Sequence, residues 1–173
     1  VSCHEIDEDA TAGGSSAAGP RLADGRLIGR EIAAVVYAPF TKELFVATPG
    51  VGAFMNGTKL QMKPIVDLSE AVVSLSFSAL SAASMGKLLP TMVERARKVR
   101  SLGSTALEIV HVAAGRAGAF IQQGTHLWDF MAAAAILREA GGVMEASEIA
   151  PGRWKVIASN PGLFREVNAL AAE

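Results

Sequence analysis

The order in which strand-like and helix-like segments follow one another is the feature that most constrains the fold of this chain. The first half holds short runs of β-branched and aromatic residues between turn residues, a pattern that predicts successive strands. The second half alternates helix-length apolar patterns with further short strands. This order predicts an α/β fold of mixed β-sheets layered with helices, because every apolar sheet face needs another element to cover it.

Two kinds of local signal support that order. Asn56-Gly57 lies between strand-like segments at 53–54 and 59–60 and predicts a type I′ hairpin turn, since both central residues of that turn need a positive φ. A further hairpin is expected between residues 21–27 and 31–37, and more strands at 44–47, 72–77, 119–122, 143–144 and 155–158.

Helices are predicted at 82–98, 104–114, 129–140 and from Asn160 through 171. Pro90 is expected to kink or restart the first of them. Gly141-Gly142 is expected to end the third, and Asn160 to cap the start of the last.

Composition excludes several classes of protein. The chain has 173 residues, half of them hydrophobic and only 19% charged, so a folded domain is expected rather than a disordered chain. The net charge of −1 without a basic face argues against a nucleic-acid or membrane-surface partner, and no apolar run is long enough for a membrane span. A single cysteine, Cys3, predicts a cytoplasmic protein without internal disulfides. An acidic and then Gly/Ser-rich stretch predicts a tail over residues 1–20, leaving 21–173 as one domain.

Trp128-Asp129, at the head of an Ala-rich segment, is the strongest single candidate for site chemistry. An aspartate at a helix start can satisfy free backbone N–H groups, which is a purely structural role. A carboxylate there can also bind a hard cation such as Mg²⁺, which takes oxygen ligands. Trp128 is interpreted as a packing anchor that directs Asp129, and His126 is not assigned to a metal.

Four segments in order give this candidate a context: Arg100-Ser-Leu-Gly-Ser-Thr-Ala-Leu-Glu108, Val112-Ala-Ala-Gly-Arg-Ala-Gly-Ala-Phe120, Gly124-Thr-His-Leu-Trp-Asp129 and Arg138-Glu-Ala-Gly-Gly142. The series resembles the C-terminal part of the inositol monophosphatase family. Earlier segments, at 35–39, 43–47 and 52–57, resemble that family as well, so that the likeness spans residues 22–170. It implies a truncated form of the family's αβαβα sandwich.

The resemblance implies Mg²⁺-dependent hydrolysis of a phosphate monoester of an inositol, sugar or nucleotide, in an enzyme that can form a homodimer. Asp129 matches the metal-ligand aspartate of the family's W-D pair. Gly103, Ser104 and Thr105 match a loop that lines the substrate pocket, although Ser104 is also a natural helix cap. Gln122 matches a position that is often Glu and contacts a substrate hydroxyl, with an exposed strand residue as the alternative.

The chain departs from the family at its main metal-binding motif, W-x-x-D-P-[IL]-D-G-T. The nearest stretch, Ile6-Asp-Glu-Asp-Ala-Thr11, places Asp7 and Asp9 two residues apart instead of three, and an acidic tail is the alternative interpretation. The family's upstream Glu-Glu element has no counterpart. Since one aspartate does not hold Mg²⁺ tightly, we expect a C-terminal portion of such an enzyme, with an incomplete metal site.

Two other functions stay open at this stage. The chain could be a non-catalytic dimerising or scaffolding remnant of the same fold. It could also be a relative of the 3′(2′),5′-bisphosphate nucleotidases, which share the W-D pair, or of the fructose bisphosphatases.

Overall fold

The computed structural model describes residues 2–5, 30–62, 64–77 and 82–172. In this part of the chain, ten strands form two five-stranded sheets. The first sheet is an antiparallel meander in chain order, made of β1 (Ser2–Glu5), β2 (Arg30–Ala38), β3 (Glu43–Thr48), β4 (Gly52–Met55) and β5 (Thr58–Lys59).

The second sheet is mixed and has the order β7-β6-β8-β10-β9. Its strands are β6 (Val72–Ser76), β7 (Lys98–Arg100), β8 (Ala119–Thr125), β9 (Val143–Ala150) and β10 (Arg153–Ser159). β6 runs parallel to both β7 and β8, whereas β10 is antiparallel to β8 and β9. The α/β fold with mixed sheets predicted from the sequence is therefore confirmed.

Four helices complete the described fold: α1 (Ala82–Arg95), α2 (Thr105–Ala113), α3 (Leu127–Glu139) and α4 (Phe164–Leu170). α2 and α3 lie between the sheets, since one apolar cluster joins them to β2–β4 and to one face of the second sheet. α1, α4 and a 3₁₀ turn at Leu68–Glu70 cover the other face of that sheet. The layers are thus sheet, helices, sheet and helices. None of the described helices has the length and apolar character needed to span a membrane.

The Asn56-Gly57 turn matches its prediction. Asn56 has a φ of 48° and Gly57 a φ of 81°, and the Asn56 side-chain oxygen accepts from the backbone N–H of Leu44 at 2.8 Å. The turn joins β4 to β5. Its geometry was predictable because the need for positive φ is a property of two adjacent residues.

Of the two outcomes expected at Pro90, a kink or a restart of the helix, the restart does not occur. α1 runs through Pro90 and ends at Arg95, and Lys98–Arg100 forms β7 beside β6 instead of a last helical turn. Met85, five residues before Pro90, and Met92, two residues after it, are fully buried against the sheet. This packing offsets the loss of the backbone hydrogen bond that a proline cannot donate.

Asn160 does not cap α4 as predicted, since Leu163 precedes the first helical residue. Asn160 is instead buried, and its side-chain oxygen accepts from the backbone N–H groups of Ile65 and Gly162, at 3.2 Å each. The side chain thereby ties the segment after the first sheet to the end of β10. β8 and β9 also extend beyond their predicted ends, to Thr125 and Ala150.

Part of the predicted tail is described. Ser2–Glu5 lies inside residues 1–20 and forms β1, which pairs with β2. The predicted hairpin partner at residues 21–27 lies outside the described residues.

Candidate functional site

The residues that the sequence singled out meet at one edge of the second sheet. β7 ends at Arg100 and leads through residues 101–104 into α2, and β8 ends at Thr125 and leads directly into α3. Ligands of open α/β sheets bind beyond the carboxyl ends of parallel strands, where such connections meet. The structure brings together five of the predicted residues there: Gly103, Ser104, Thr105, Gln122 and Asp129.

Asp129 is the third residue of α3, because the helix begins at Leu127, two residues earlier than predicted. Its Oδ2 accepts from the backbone N–H of His126 at 3.1 Å and from the Thr125 hydroxyl at 3.2 Å. One carboxylate oxygen therefore caps the helix start, as in a capping box. Within the described residues Oδ1 has no hydrogen bond, and 40% of the side chain is exposed. Asp129 can cap the helix with one oxygen and still offer the other to a ligand.

Trp128 is not the packing anchor that the sequence suggested. The side chain is 76% exposed, and its ring stacks on the His126 imidazole with centroids 4.5 Å apart and an angle of 10° between the planes. Trp128, the second residue of α3, lies on the exposed side of the helix and belongs to neither apolar cluster of the described residues. The direction of Asp129 is set by Thr125 and His126.

The loop before α2 has the local geometry that its sequence requires. Gly103 has a φ of 80°, a conformation that favours glycine. The Ser104 hydroxyl accepts from the Leu107 N–H at 3.4 Å and so caps α2. Thr105, the first helical residue, donates its hydroxyl proton to Oε1 of Gln122 at 2.6 Å. Gln122 is half-buried by this contact and is not the exposed strand residue of the alternative interpretation.

Glu108 is a contributor that sequence reasoning missed. It is fully buried on α2, and its Oε1 accepts from the Ser74 hydroxyl at 2.9 Å and from the Leu102 N–H at 2.7 Å. Its Oε2 is buried without a hydrogen-bond partner among the described residues. Glu108 thus holds the loop before α2 against β6. A charged residue inside the apolar run 106–112 was the signal that could have revealed it.

A second charged cluster lies at the other end of α2. The Arg116 guanidinium pairs with the Glu43 carboxylate of β3 and lies 3.2 Å from Nε2 of His111. Hydrogen bonding to Arg116 lowers the pKa of Glu43 to about 2, and Glu43 in turn raises the pKa of Arg116. Burial, followed by the charge of Arg116, lowers the pKa of His111. The cluster joins the end of α2 to the first sheet and has no part in the site at Asp129.

The described residues do not make a Mg²⁺ site by themselves. Throughout the described ranges, no group of three or more His, Cys, Asp or Glu side chains could hold a metal. Asp7 and Asp9, the other predicted candidates, lie outside the described residues. Mg²⁺ demands near-octahedral oxygen coordination, and the free Oδ1 of Asp129 supplies one such ligand. No catalytic step through a metal therefore follows from these residues alone.

The comparisons of this chain with known proteins all lead to one family. The model of the inositol monophosphatase family matches residues 27–172. The chain is 34% identical over 155 residues to the Nus factor SuhB of Escherichia coli strain K12, covering 85% of this chain and 56% of SuhB. It is 37% identical over 115 residues to the human inositol monophosphatase 2, covering 64% of this chain and 40% of that protein.

Solved structures agree with the sequence matches. The Thermotoga maritima IMPase superimposes with a TM-score of 0.74 at 32% identity, covering 82% of this chain and 56% of the other. The chain spans about half the length of the curated relatives it matches.

Proposed function

The chain belongs to the inositol monophosphatase family, and on that premise we propose that it forms the substrate side, with one metal ligand, of a Mg²⁺-dependent phosphate monoesterase. The observation that carries the proposal is the position of Asp129. The Asp129 side chain is 40% exposed at the carboxyl end of the parallel strands, and its Oδ2 is held by Thr125 and His126 while Oδ1 has no hydrogen bond to a described residue. The remaining Mg²⁺ ligands come from outside the described residues, and Asp7 and Asp9 stay candidates for them.

The substrate in this proposal is a small phosphorylated inositol, sugar or nucleotide. Gly103, Ser104 and Thr105 form the wall of the pocket on one side, and Gln122 lies beside them through its hydrogen bond to Thr105. Glu108 keeps this wall in place through the Leu102 N–H. A cytoplasmic location and a single domain over residues 21–173 remain parts of the proposal.

The test is phosphate release from inositol 1-phosphate, fructose 1,6-bisphosphate and adenosine 3′,5′-bisphosphate, with and without Mg²⁺. We expect Mg²⁺-dependent release from at least one of them, and the panel decides which substrate class is used. Asp129→Asn should lower the rate more than about a hundredfold, the upper range for losing a residue that merely supports a metal ligand.

The matched control is Asp67→Asn, which makes the same chemical change at the 3₁₀ turn. Asp67 accepts from the Ser69 N–H, and asparagine can accept that hydrogen bond as well. This variant should keep the wild-type rate. The proposal fails if no substrate gives Mg²⁺-dependent release, or if Asp129→Asn releases phosphate as fast as Asp67→Asn.

A second candidate function is a non-catalytic, dimerising module. It is favoured by the apolar outer face of the first sheet, where the paired Tyr37 and Leu44 are 54% and 41% exposed. The E. coli relative is named a Nus factor, a name that describes no hydrolase. This function predicts a homodimer in sedimentation experiments together with no Mg²⁺-dependent phosphate release.

A further inference from the structure

Thr105 and Gln122 form a hydrogen bond between two elements that are distant in sequence. Thr105 begins α2, Gln122 lies on β8, and their oxygens are 2.6 Å apart. Both side chains are half-buried, at the same strand ends where Asp129 lies. The contact therefore sets how one amide side chain faces the candidate site.

The direction of this hydrogen bond follows from the atoms in contact, the Thr105 hydroxyl and Oε1 of Gln122. A carboxylate only accepts, so the single hydroxyl proton of Thr125 goes to Oδ2 of Asp129 at 3.2 Å. The Thr125 oxygen then has no proton for the Thr105 oxygen, 3.5 Å away. The carbonyl oxygen of Gln122 carries no proton, so the Thr105 hydroxyl donates in this contact, which is also shorter than the one to Thr125.

Thr105 uses one of the two lone pairs of the Gln122 carbonyl oxygen and holds that oxygen on the side of α2, so the NH₂ group is the part of the amide that we expect to meet a ligand. This group is an uncharged donor, whereas a carboxylate at the same position would only accept and would repel anions. An amide side chain can either donate or accept a hydrogen bond, and the contact with Thr105 leaves Gln122 to act toward a ligand as a donor.

We propose that Thr105 is a positioning residue that holds Gln122 as a hydrogen-bond donor, so that the site prefers a ligand with a second, acceptor-only anionic group such as a second phosphate. The inference rests on the proposed function in one respect, since it takes a small phosphorylated compound as the ligand. It does not require that the compound be hydrolysed.

The experiment measures equilibrium binding by calorimetry in metal-free buffer. Inositol 1-phosphate and inositol 1,4-bisphosphate form a matched pair, in which a phosphate replaces one hydroxyl. Wild type should bind the bisphosphate about tenfold more tightly, the effect of one hydrogen bond to a charged group. The side-chain NH₂ signals of Gln122 in ¹H–¹⁵N NMR spectra should shift with the bisphosphate.

Three variants separate positioning from folding. Thr105→Val should reduce the preference below about threefold, because the amide can then rotate, while Thr105→Ser keeps the hydroxyl and the preference. Gln122→Glu should favour the monophosphate. Melting curves of Thr105→Val and Thr105→Ser show whether either change disturbs the fold.

Retention of the preference in a folded Thr105→Val variant overturns the inference, as does equal binding, or no binding, of the two ligands by wild type. Selective binding without Mg²⁺-dependent phosphate release supports the inference and refutes the proposed hydrolysis. Mg²⁺-dependent phosphate release without a preference for the bisphosphate supports the proposed hydrolysis and refutes the inference.

Discussion

Asp129 shows how one side chain can meet two requirements at once. The sequence left a choice between a helix cap and a metal ligand, and both roles fit the structure because they use different oxygens. Oδ2 accepts from Thr125 and His126, and Oδ1 has no hydrogen bond to a described residue in a side chain that is 40% exposed. The capping contacts also orient the carboxylate, since they limit the rotation of its side chain.

Glu43 and Arg116 give a prediction about pH at the scale of single residues. Arg116 lowers the pKa of Glu43 from its ordinary 4.5 to about 2 in the folded state. The contribution of this pair to stability is therefore fully present above pH 4.5 and is lost as the pH falls through about 2. Arg116→Met should remove that part of the pH dependence.

The measurement is the free energy of unfolding in urea, taken from pH 6 down to the acid limit of the folded state, for wild type and Arg116→Met. The difference between the two should shrink steadily as the pH falls below 4.5. Glu43→Gln is the matched control and should show the same loss. A difference that stays constant over this range would show that the pair is not the cause.

The helices show where element boundaries could be predicted and where they could not. α2 begins as expected because Ser104 is a good cap by its own chemistry. α3 begins two residues early, since its cap is the side chain of Asp129 reaching back to the His126 N–H. β7 was missed because a three-residue strand is stabilised only by the neighbouring strand, β6.

Two glycines give a matched prediction at the scale of elements. A Cβ at Gly162 would lie 2.5 Å from the backbone oxygen of Ile65, so Gly162→Ala should destabilise the fold by about 1–3 kcal/mol. A Cβ at Gly86, inside α1, would meet no described atom within 4 Å beyond its chain neighbours and the backbone of its own helix, so Gly86→Ala should stabilise the fold by about 1 kcal/mol.

Urea denaturation of both variants, followed by circular dichroism, checks the pair. A Gly162→Ala variant as stable as wild type would mean that the segment at Ile65 moves aside without cost. Destabilisation by Gly86→Ala would mean that another part of the protein packs against α1 at Gly86 in solution.

At the scale of the molecule, the described residues form two apolar clusters that share the second sheet. Phe45 belongs to the cluster between the sheets, and Met92 to the cluster beneath α1 and α4. Because one sheet supplies residues to both clusters, we expect a single cooperative unfolding transition. Phe45→Ala and Met92→Ala should each lower the free energy of unfolding by about 2–5 kcal/mol.

The two tryptophans allow that expectation to be measured. Trp154 is buried between the sheets and Trp128 is exposed, so a Trp128→Phe background leaves Trp154 as the reporter of one cluster. Its fluorescence should follow the same urea curve as the circular dichroism of the whole chain. Two separate curves would show that the clusters unfold independently.

The sequence by itself determined the family, the fold class, the Asn56-Gly57 turn and the residues that meet near Asp129. These follow from φ preferences, residue periodicity and ordered motifs, all of which are properties of neighbouring residues. Only the tertiary structure decided that Trp128 is exposed, that Glu108 binds Ser74, and that Thr105 donates a hydrogen bond to Gln122. Each of these depends on contacts or their absence in space, because a side chain's partners come from whichever elements the sheet order brings beside it.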